Sequence, residues 1–338
     1  MVEAGLVLMV TTMVSILLAG LILRVSLNRQ ALLDVPNSRS SHSLPVPRGG
    51  GLAIVLCLAA GLGYFSLVRS APVYPALLLS TSIIAGVGFI DDVKNLPAGL
   101  RALIQLAAAL TFILVSDTSI NYLDFPGLGR LPLGGLGQIA AVIWLVALTN
   151  FYNFMDGIDG LAGGEGVLVG LATAGLFSLH GQRDLALVSL VIAGGSLGFL
   201  KYNFPPAKMF MGDAGSGTLG FVFGALALIA QARCNVSLWV FVLFLGTFLV
   251  DTTVTLIKRI TAGEKWYQAH RSHYYQRLTR HWSSHLRVTR TMLVITGLLS
   301  ISGLVYDTGR GGVQLMLLSL WLLFFIGCCY LIEKRVKG

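Results

Sequence analysis

Acidic side chains recur in short polar segments that separate long apolar runs of the sequence. Asp91 and Asp92 stand side by side in the segment DDVKN. Because adjacent carboxylates repel one another, the pair is better suited to binding a cation or moving a proton than to simple solvation. A capped, solvated helix end is the alternative. We therefore take Asp91 and Asp92 as candidate catalytic residues.

A second group of polar side chains lies in the segment NFYNFMDGIDG. Asn153, Asp156 and Asp159 recur every three residues, so they would share one face of a helical turn. Gly157 and Gly160 would allow a ligand to approach the backbone closely. An ordinary Asp-Gly turn between two apolar segments is the alternative, but the spacing favours a binding site.

Two further aspartates lie next to or within apolar runs. Asp213, in MGDAGSG, precedes an apolar run. It is either a simple N-cap or a metal ligand beside a helix N-terminus suited to phosphate. Asp251 lies within an apolar run, where a carboxylate is costly and usually buried for a reason. In contrast, we expect Glu165 to be a helix-start residue and His180 and His285 to be boundary residues.

A late segment, KWYQAHRSHYYQRLTR, interleaves basic and aromatic side chains. It either binds anionic lipid headgroups or contacts a nucleotide or pyrophosphate. Its candidate binding residues are His270, Arg271, His273 and Arg277. The first polar loop is a weaker candidate. Its candidate residues are Asn37, Arg39, His42 and Arg48.

The composition decides which elements must position these residues. Of 338 residues, 55% are apolar and 12% charged, and the mean hydropathy is +0.79. A soluble domain carries about 25% charged residues, so this chain cannot cover a soluble surface with polar side chains. A soluble globular protein, a disordered chain and a collagen-like fibre are excluded. We predict an all-α, polytopic integral membrane protein and, despite the net charge of +9, no nucleic-acid partner.

Apolar runs of roughly 20 residues mark about eleven transmembrane helices. They lie near 4–24, 49–68, 73–90, 100–116, 136–152, 161–179, 185–201, 215–231, 236–257, 291–306 and 313–332. With the N-terminus outside and the C-terminus cytoplasmic, 19 of the 24 Lys and Arg residues lie on the inner side and 5 on the outer side. The excess of inner positive charge favours this orientation.

This orientation places the richest polar motifs on the cytoplasmic face. We predict a single membrane-embedded domain, residues 1–338, whose site lies at the boundary between membrane and cytosol. The loops expected to form it are 25–48, 91–99, 150–160, 202–214 and 258–290. Acids at such a boundary can hold a divalent cation, and the cation and basic groups together can hold phosphates.

Taken in order, the motifs DDVKN, NFMDGIDGLAGG, NFPPAKMFMGDAGSGTLG and HRSHYYQR resemble the polyprenyl-phosphate N-acetylhexosamine-1-phosphate transferases. This family, glycosyltransferase family 4, includes the phospho-N-acetylmuramoyl-pentapeptide translocase and enzymes that initiate O-antigen synthesis. The resemblance runs from about Asp34 to Arg277. It implies ten or eleven helices and a cytoplasmic active site, in agreement with the predicted topology.

The resemblance also implies roles for individual residues. Asp91 and Asp92 match paired aspartates next to the lipid phosphate, and Asp213 matches a magnesium-binding aspartate that Asp156 would assist. The remaining matches concern substrate binding. They are Asn153 and Asp159 beside the metal and nucleotide, Asn203 as a nucleotide contact, Phe210 under the uracil, and His270, Arg271 and His273 in the late His-rich motif.

The late motif departs from the pattern His-Ile-His-His of many antigen-initiating enzymes. This chain reads His-Arg-Ser-His, with Ser272 in the third position. The departure resembles an O-antigen branch that uses another amino sugar, such as N-acetylfucosamine or N-acetylquinovosamine. A transferase specific for UDP-N-acetylglucosamine is the alternative within the family.

The implied activity is transfer of an N-acetylamino-sugar 1-phosphate from a UDP-sugar to undecaprenyl phosphate, with release of UMP. It would use Mg²⁺, or Mn²⁺, and would initiate O-antigen lipopolysaccharide synthesis in the bacterial inner membrane, with a homodimer left open. Direct attack and a covalent aspartyl-phosphate route both remain open. An aspartate-rich membrane prenyltransferase and a secondary transporter are the rivals outside the family.

Overall fold

The computed structural model describes residues 2–27, 33–34, 45–264 and 270–336. Asn37, Arg39 and His42 of the first polar loop lie outside these residues. The helices are α1 (Val2–Leu27), α2 (Leu52–Val68), α3 (Val73–Lys94), α4 (Ala98–Ser116), α5 (Leu136–Phe154), α6 (Leu161–Leu179), α7 (Arg183–Asn203), α8 (Asp213–Cys234), α9 (Leu238–Phe244), α10 (Gly246–Thr261), α11 (Tyr274–Trp282), α12 (His285–Thr308) and α13 (Gly311–Arg335).

The predicted all-α membrane fold is confirmed. Within the described ranges, nine helices are long and apolar enough to cross a membrane, α2 is a shorter apolar helix, and α9 with α10 forms a bent pair. These elements correspond to the eleven predicted spans. Strands, which the sequence did not predict, form two small antiparallel hairpins. They are β1 (Leu33–Asp34) with β2 (Val46–Pro47), and β3 (Tyr122–Phe125) with β4 (Gly129–Pro132).

The structure breaks the predicted span 236–257. The axes of α9 and α10 differ by 86°, with the break at Leu245. Just past the break, the Thr247 hydroxyl lies 3.3 Å from Glu165 Oε1, and Thr296 donates to Glu165 Oε2 at 2.6 Å. Glu165 is therefore not a simple helix-start residue, because it is fully buried. A buried carboxyl is costly without such partners, so these contacts stabilise the packing of the bend against α6 and α12.

Helix α8 is the centre of the bundle. Each of its residues from Ala214 to Gln231 is buried, and it packs between α3 and α5. Small residues make this close packing feasible. A Cβ atom on Gly220 would collide with the carbonyl oxygen of Leu148 in α5 and would lie 2.7 Å from Tyr152 Cβ. By contrast, α13 buries only Leu317, as expected for a helix that faces lipid.

The close contact at Gly220 predicts the effect of adding one methyl group. Gly220→Ala should destabilise the fold by about 1–3 kcal/mol, because the Leu148 backbone cannot move away easily. The melting temperature of the detergent-purified protein measures the loss. Gly217→Ala, in the same helix, is the control, because its Cβ would lie 3.5 Å from Ile84, an ordinary contact. Equal melting temperatures of the two variants would contradict the proposed packing.

Candidate active site

The paired aspartates lie at the end of α3 and have different partners. Asp91 Oδ2 accepts a hydrogen bond from Arg101 Nη1 at 2.5 Å, and Asp91 Oδ1 accepts one from the Leu96 backbone N–H at 2.5 Å. The chain turns directly after them, because Asn95 adopts a left-handed conformation with φ of 50° and ends α3. This turn brings Arg101, in the first turns of α4, back over Asp91.

Arg101 connects two of the predicted site residues. Besides Asp91, the same Nη1 atom lies 3.3 Å from Asp213 Oδ2, at the start of α8. Our sequence reasoning did not identify Arg101 as a site residue. A signal was present, since a cation near the N-terminus of an apolar helix is opposed by the helix dipole and needs a local anionic partner.

Asp92 caps helix α8. Its Oδ1 accepts a hydrogen bond from the Asp213 backbone N–H at 3.0 Å, and its Oδ2 accepts one from Ala214 at 3.3 Å. Asp92 is only 4% exposed. Glycines bring the two helices this close, since a Cβ on Gly212 would lie 2.6 Å from the Asp92 carboxylate and one on Gly88 would lie 2.6 Å from the Ala214 nitrogen. The contacts of Asp92 are those of a residue that positions Asp213.

The segment after α5 supplies the next members of the site. Asn153 Nδ2 donates to Asp213 Oδ1 at 2.9 Å and lies 2.9 Å from Ser216 Oγ. Asp156 is partly buried. Burial and the negative charges of Asp213, Asp92 and Asp159 raise the pKa of Asp156 well above its ordinary value. The structure thus gathers Asp91, Asp92, Asn153, Asp156 and Asp213 around the ends of α3, α5 and α8.

The cluster can be tested as a magnesium site. Among the described residues, no three His, Cys, Asp or Glu side chains are arranged to hold one metal ion. Mg²⁺, however, usually takes only one or two protein carboxylates and completes its shell with water and substrate phosphates. Asp213 and Asp156 offer two such carboxylates, and after burial the charge of Asp213 is the largest contribution to the raised pKa of Asp156.

Asp159 connects three segments. Its Oδ1 lies 3.0 Å from His285 Nδ1, and its Oδ2 accepts a hydrogen bond from the Ala207 N–H at 2.9 Å. Burial alone would raise the pKa of Asp159, but the hydrogen bonds from His285 and Ala207 hold it below the ordinary value. His285, expected to be a plain boundary residue, is therefore a partner of the DGIDG loop.

Asn203 and Phe210, the predicted nucleotide contacts before α8, are held in place by hydrogen bonds with backbone groups. Asn203 is buried, and its amide accepts from Gly160 N–H at 3.0 Å and donates to the Met209 carbonyl at 2.9 Å. Phe210 N–H donates to the Pro47 carbonyl at 2.8 Å. Next to Pro47, Arg48 pairs with Asp34 at 3.1 Å. Pro47, at the end of the first loop, thus lies against the segment that holds Phe210.

The late His motif is held by Asp251. One oxygen of Asp251 lies 3.0 Å from His273 Nδ1, and the carboxylate accepts the backbone N–H groups of Tyr274 and Tyr275 at 3.0 and 2.9 Å. Asp251, whose role the sequence left open, therefore caps α11. His270 stacks on His273 with ring centroids 4.8 Å apart. Burial, His273 and Arg259 lower the pKa of His270 to about 4, so it is neutral near pH 7.

One contact joins the His motif to the DGIDG loop. The Tyr275 hydroxyl donates to the Phe154 carbonyl at 2.9 Å and fills the space beside Gly157. Arg277, in contrast, is not part of the carboxylate network. Its Nη1 donates to Glu333 at 2.7 Å and its Nη2 to the Val336 carbonyl at 2.5 Å, so it connects α11 to the end of α13. Arg271 lines a cavity with Arg277 and Glu333.

A bundle of apolar helices with linked carboxylate, guanidinium and amide groups at the ends of its spans defines an integral membrane protein with a polar site at the edge of the bilayer. The chain belongs to glycosyl transferase family 4, whose family model matches residues 74–231. It is 32% identical to the probable undecaprenyl-phosphate N-acetylglucosaminyl 1-phosphate transferase of Bacillus subtilis (strain 168), over 93% of this chain and 88% of that protein.

Two other relatives illustrate the range of the family. The decaprenyl-phosphate N-acetylglucosaminephosphotransferase of Mycobacterium leprae is 31% identical over 88% of this chain and 82% of its own length. The phospho-N-acetylmuramoyl-pentapeptide-transferase of Moorella thermoacetica is 31% identical over 69% of this chain and 77% of its own length. Their names concern those proteins, but the matches establish the family predicted from the motifs.

The capping contacts of Asp92 predict a loss of stability. Asp92→Ala should destabilise the protein by about 1–2 kcal/mol, because two backbone N–H groups at the start of α8 lose their acceptor. Thermal unfolding in detergent measures the change. Asp184→Ala is the control and should cost less, since it removes only an exposed ion pair with Arg69. An Asp92→Ala protein that melts like the unmodified protein would rule out the cap.

Proposed function

We propose that the protein transfers an N-acetylamino-sugar 1-phosphate from a UDP-sugar to undecaprenyl phosphate and releases UMP. The observation that carries the proposal is the bridge from Asp91 through Arg101 to Asp213, which combines a phosphate-binding cation with carboxylates suited to a metal. The names of two relatives, an undecaprenyl-phosphate and a decaprenyl-phosphate N-acetylglucosamine phosphotransferase, support it. The inner excess of Lys and Arg supports a site on the cytoplasmic face.

The chemistry requires charge neutralisation more than a strong base. A phosphate monoester has a second pKa of about 6, so the lipid phosphate is largely deprotonated at neutral pH. Its oxygen would form a bond to the sugar-bearing phosphorus while the bond from that phosphorus to the UMP oxygen breaks. Arg101, oriented by Asp91, is placed to neutralise charge on the phosphates. Bound at Asp213 and Asp156, Mg²⁺ would supply further neutralisation of the leaving group.

The remaining residues would bind and orient the substrates. Asp92 would keep Asp213 in place through the start of α8, and Asn153 would fix the Asp213 side chain. Phe210 would carry the uracil ring. His270, neutral and stacked on His273, would contact the nucleotide sugar. Arg277 is already engaged with Glu333, so we assign it to holding α11.

For the sugar we propose N-acetylfucosamine or N-acetylquinovosamine, as the first step of O-antigen synthesis in a bacterial inner membrane. The basis is Ser272, whose hydroxyl lies 2.8 Å from His270 Nδ1 in the departing His-Arg-Ser-His motif. N-acetylglucosamine is the second candidate, because the names of the Bacillus and Mycobacterium relatives specify it.

A donor panel tests the reaction and the sugar together. Membranes that contain the protein are incubated with undecaprenyl phosphate, Mg²⁺ and one UDP-sugar at a time. The mass of the lipid product is then measured by mass spectrometry. We expect product and UMP with UDP-N-acetylfucosamine or UDP-N-acetylquinovosamine. Product with UDP-N-acetylglucosamine alone would reverse the sugar assignment. No UMP with any donor, or equal release without lipid phosphate, would reject the proposed reaction.

The role of Asp213 can be tested separately. Asp213→Asn should reduce UMP release by roughly 100-fold or more, because it removes the charge that faces Arg101 and the proposed metal. The protein should still insert and purify normally. The control is Asp184→Asn, which removes an aspartate paired with Arg69 instead of the site residues. Near-normal turnover of Asp213→Asn would remove Asp213 from the mechanism.

A further inference from the structure

Two cavities adjoin where α10, α11 and α13 meet. The first, of about 250 Å³, opens between α10, α11, α12 and α13, and its walls are mainly apolar. Representative lining residues are Leu278, Ile295, Phe325, Cys328 and Ile332. Asp251 also reaches its wall, but its carboxylate is occupied by the backbone N–H groups of α11. This cavity is suited to a hydrocarbon chain.

The second cavity, of about 300 Å³, is lined by charged side chains. Its cations are Lys258, Arg259, Arg271, Arg277 and Arg280, and its acids are Glu264 and Glu333. Tyr274 lines both cavities, so they meet at that side chain. Of the lining residues that the structure describes, five are positive and two negative, which leaves an excess of three positive charges.

The ion pairs within this lining leave positive charge uncompensated. Glu333 is shared, because it contacts Lys258 and also accepts from Arg277 at 2.7 Å. Glu264 pairs with Arg259 at 2.6 Å. Arg280 donates to the Arg271 backbone carbonyl at 3.0 Å and meets no carboxylate among the described residues. An anion would be attracted to this cavity.

The position of the two cavities indicates that the anion belongs to a molecule with a hydrocarbon chain. Every residue of helix α13 except Leu317 is at least partly exposed, as in a helix in contact with lipid. An apolar cavity of 250 Å³ that opens beside such a helix would be filled by hydrocarbon, since unfilled space forfeits dispersion contacts. The basic cavity lies at the helix ends, where lipid headgroups are found, since Lys258 and Glu333 are in the last turns of α10 and α13.

We propose that these cavities form a binding site for an anionic membrane phospholipid, with an acyl chain in the apolar cavity and the phosphate among the cations. This lipid is distinct from the proposed acceptor. The acceptor phosphate must reach Asp91, Asp156 and Asp213, and none of these residues lines either cavity. The inference goes beyond the proposed reaction and does not depend on it.

The bound lipid would stabilise the late His motif. Tyr274 and Tyr275, the first residues of α11, both line the apolar cavity. Tyr275 also donates to the Phe154 carbonyl, two residues before Asp156. A lipid that fills the cavity would therefore hold α11 against the DGIDG loop. We expect added phosphatidylglycerol to raise the melting temperature more than phosphatidylcholine does.

Native mass spectrometry of the delipidated full chain tests the site directly. The protein is mixed in separate experiments with phosphatidylglycerol, phosphatidylcholine or undecaprenyl phosphate. We expect one phosphatidylglycerol retained per chain and weaker retention of phosphatidylcholine. Lys258→Gln combined with Arg280→Gln should weaken phosphatidylglycerol binding roughly ten-fold or more, because each cation near a headgroup contributes to binding. Cys328→Trp, which fills the apolar cavity and keeps every charge, should weaken it as well.

The matched control is Lys334→Gln combined with Arg290→Gln, which removes two exposed cations that line neither cavity. It should bind phosphatidylglycerol like the unmodified protein. Equal binding by all three variants would overturn the site. The site would also be overturned if the substitutions at Lys258, Arg280 and Cys328 weakened binding of undecaprenyl phosphate but not of phosphatidylglycerol. That result would make this an acceptor site. Phospholipid binding with the expected dependence, in a protein that releases no UMP, would reject only the proposed reaction.

Discussion

Negative charge concentrated at the ends of three packed helices is the constraint on which the site depends. Asp91, Asp92 and Asp213 are brought together by the packing of α3 against α8, and carboxylates so close repel one another. Each repulsion is balanced by a different partner. Arg101 lies between Asp91 and Asp213, and the first N–H groups of α8 donate hydrogen bonds to Asp92. The charges of Asp213, Asp92 and Asp159 add to the effect of burial in raising the pKa of Asp156.

The hydrogen bonds from α8 to Asp92 form only because the backbones of α3 and α8 come unusually close. Gly88 and Gly212 leave room for the Asp92 carboxylate to reach the start of α8, and Gly51 packs against Gly215 on the adjoining side. Asp91, Asp92 and Asp213 therefore lie on packed helices, α3 and α8, and not in a connecting loop. Pre-set positions of this kind suit phosphoryl transfer, where the protein contributes mainly orientation and charge.

The sequence was sufficient for the broad architecture, because apolar runs and the distribution of Lys and Arg report directly on the membrane. It also located the polar segments, since charged residues are rare in this chain. It could not reveal the break at Leu245, because the apolar run continues through it. Nor could it separate Asp91 from Asp92, since their distinction arises from α4 and α8, far apart in sequence. His285 was overlooked because its partner, Asp159, lies 126 residues earlier.

The buried carboxyl of Glu165 has a consequence for how the chain is made. Its two hydroxyl partners, Thr247 and Thr296, are 82 and 131 residues further along. Helix α6 must therefore emerge from the ribosome and enter the bilayer long before either partner exists. A carboxyl in hydrocarbon is too costly to leave unsatisfied, so it must stay protonated, solvated or near the insertion machinery during that interval. Completion of the bundle thus waits for α12, and a chain truncated before this helix would retain an unsatisfied acid in its interior.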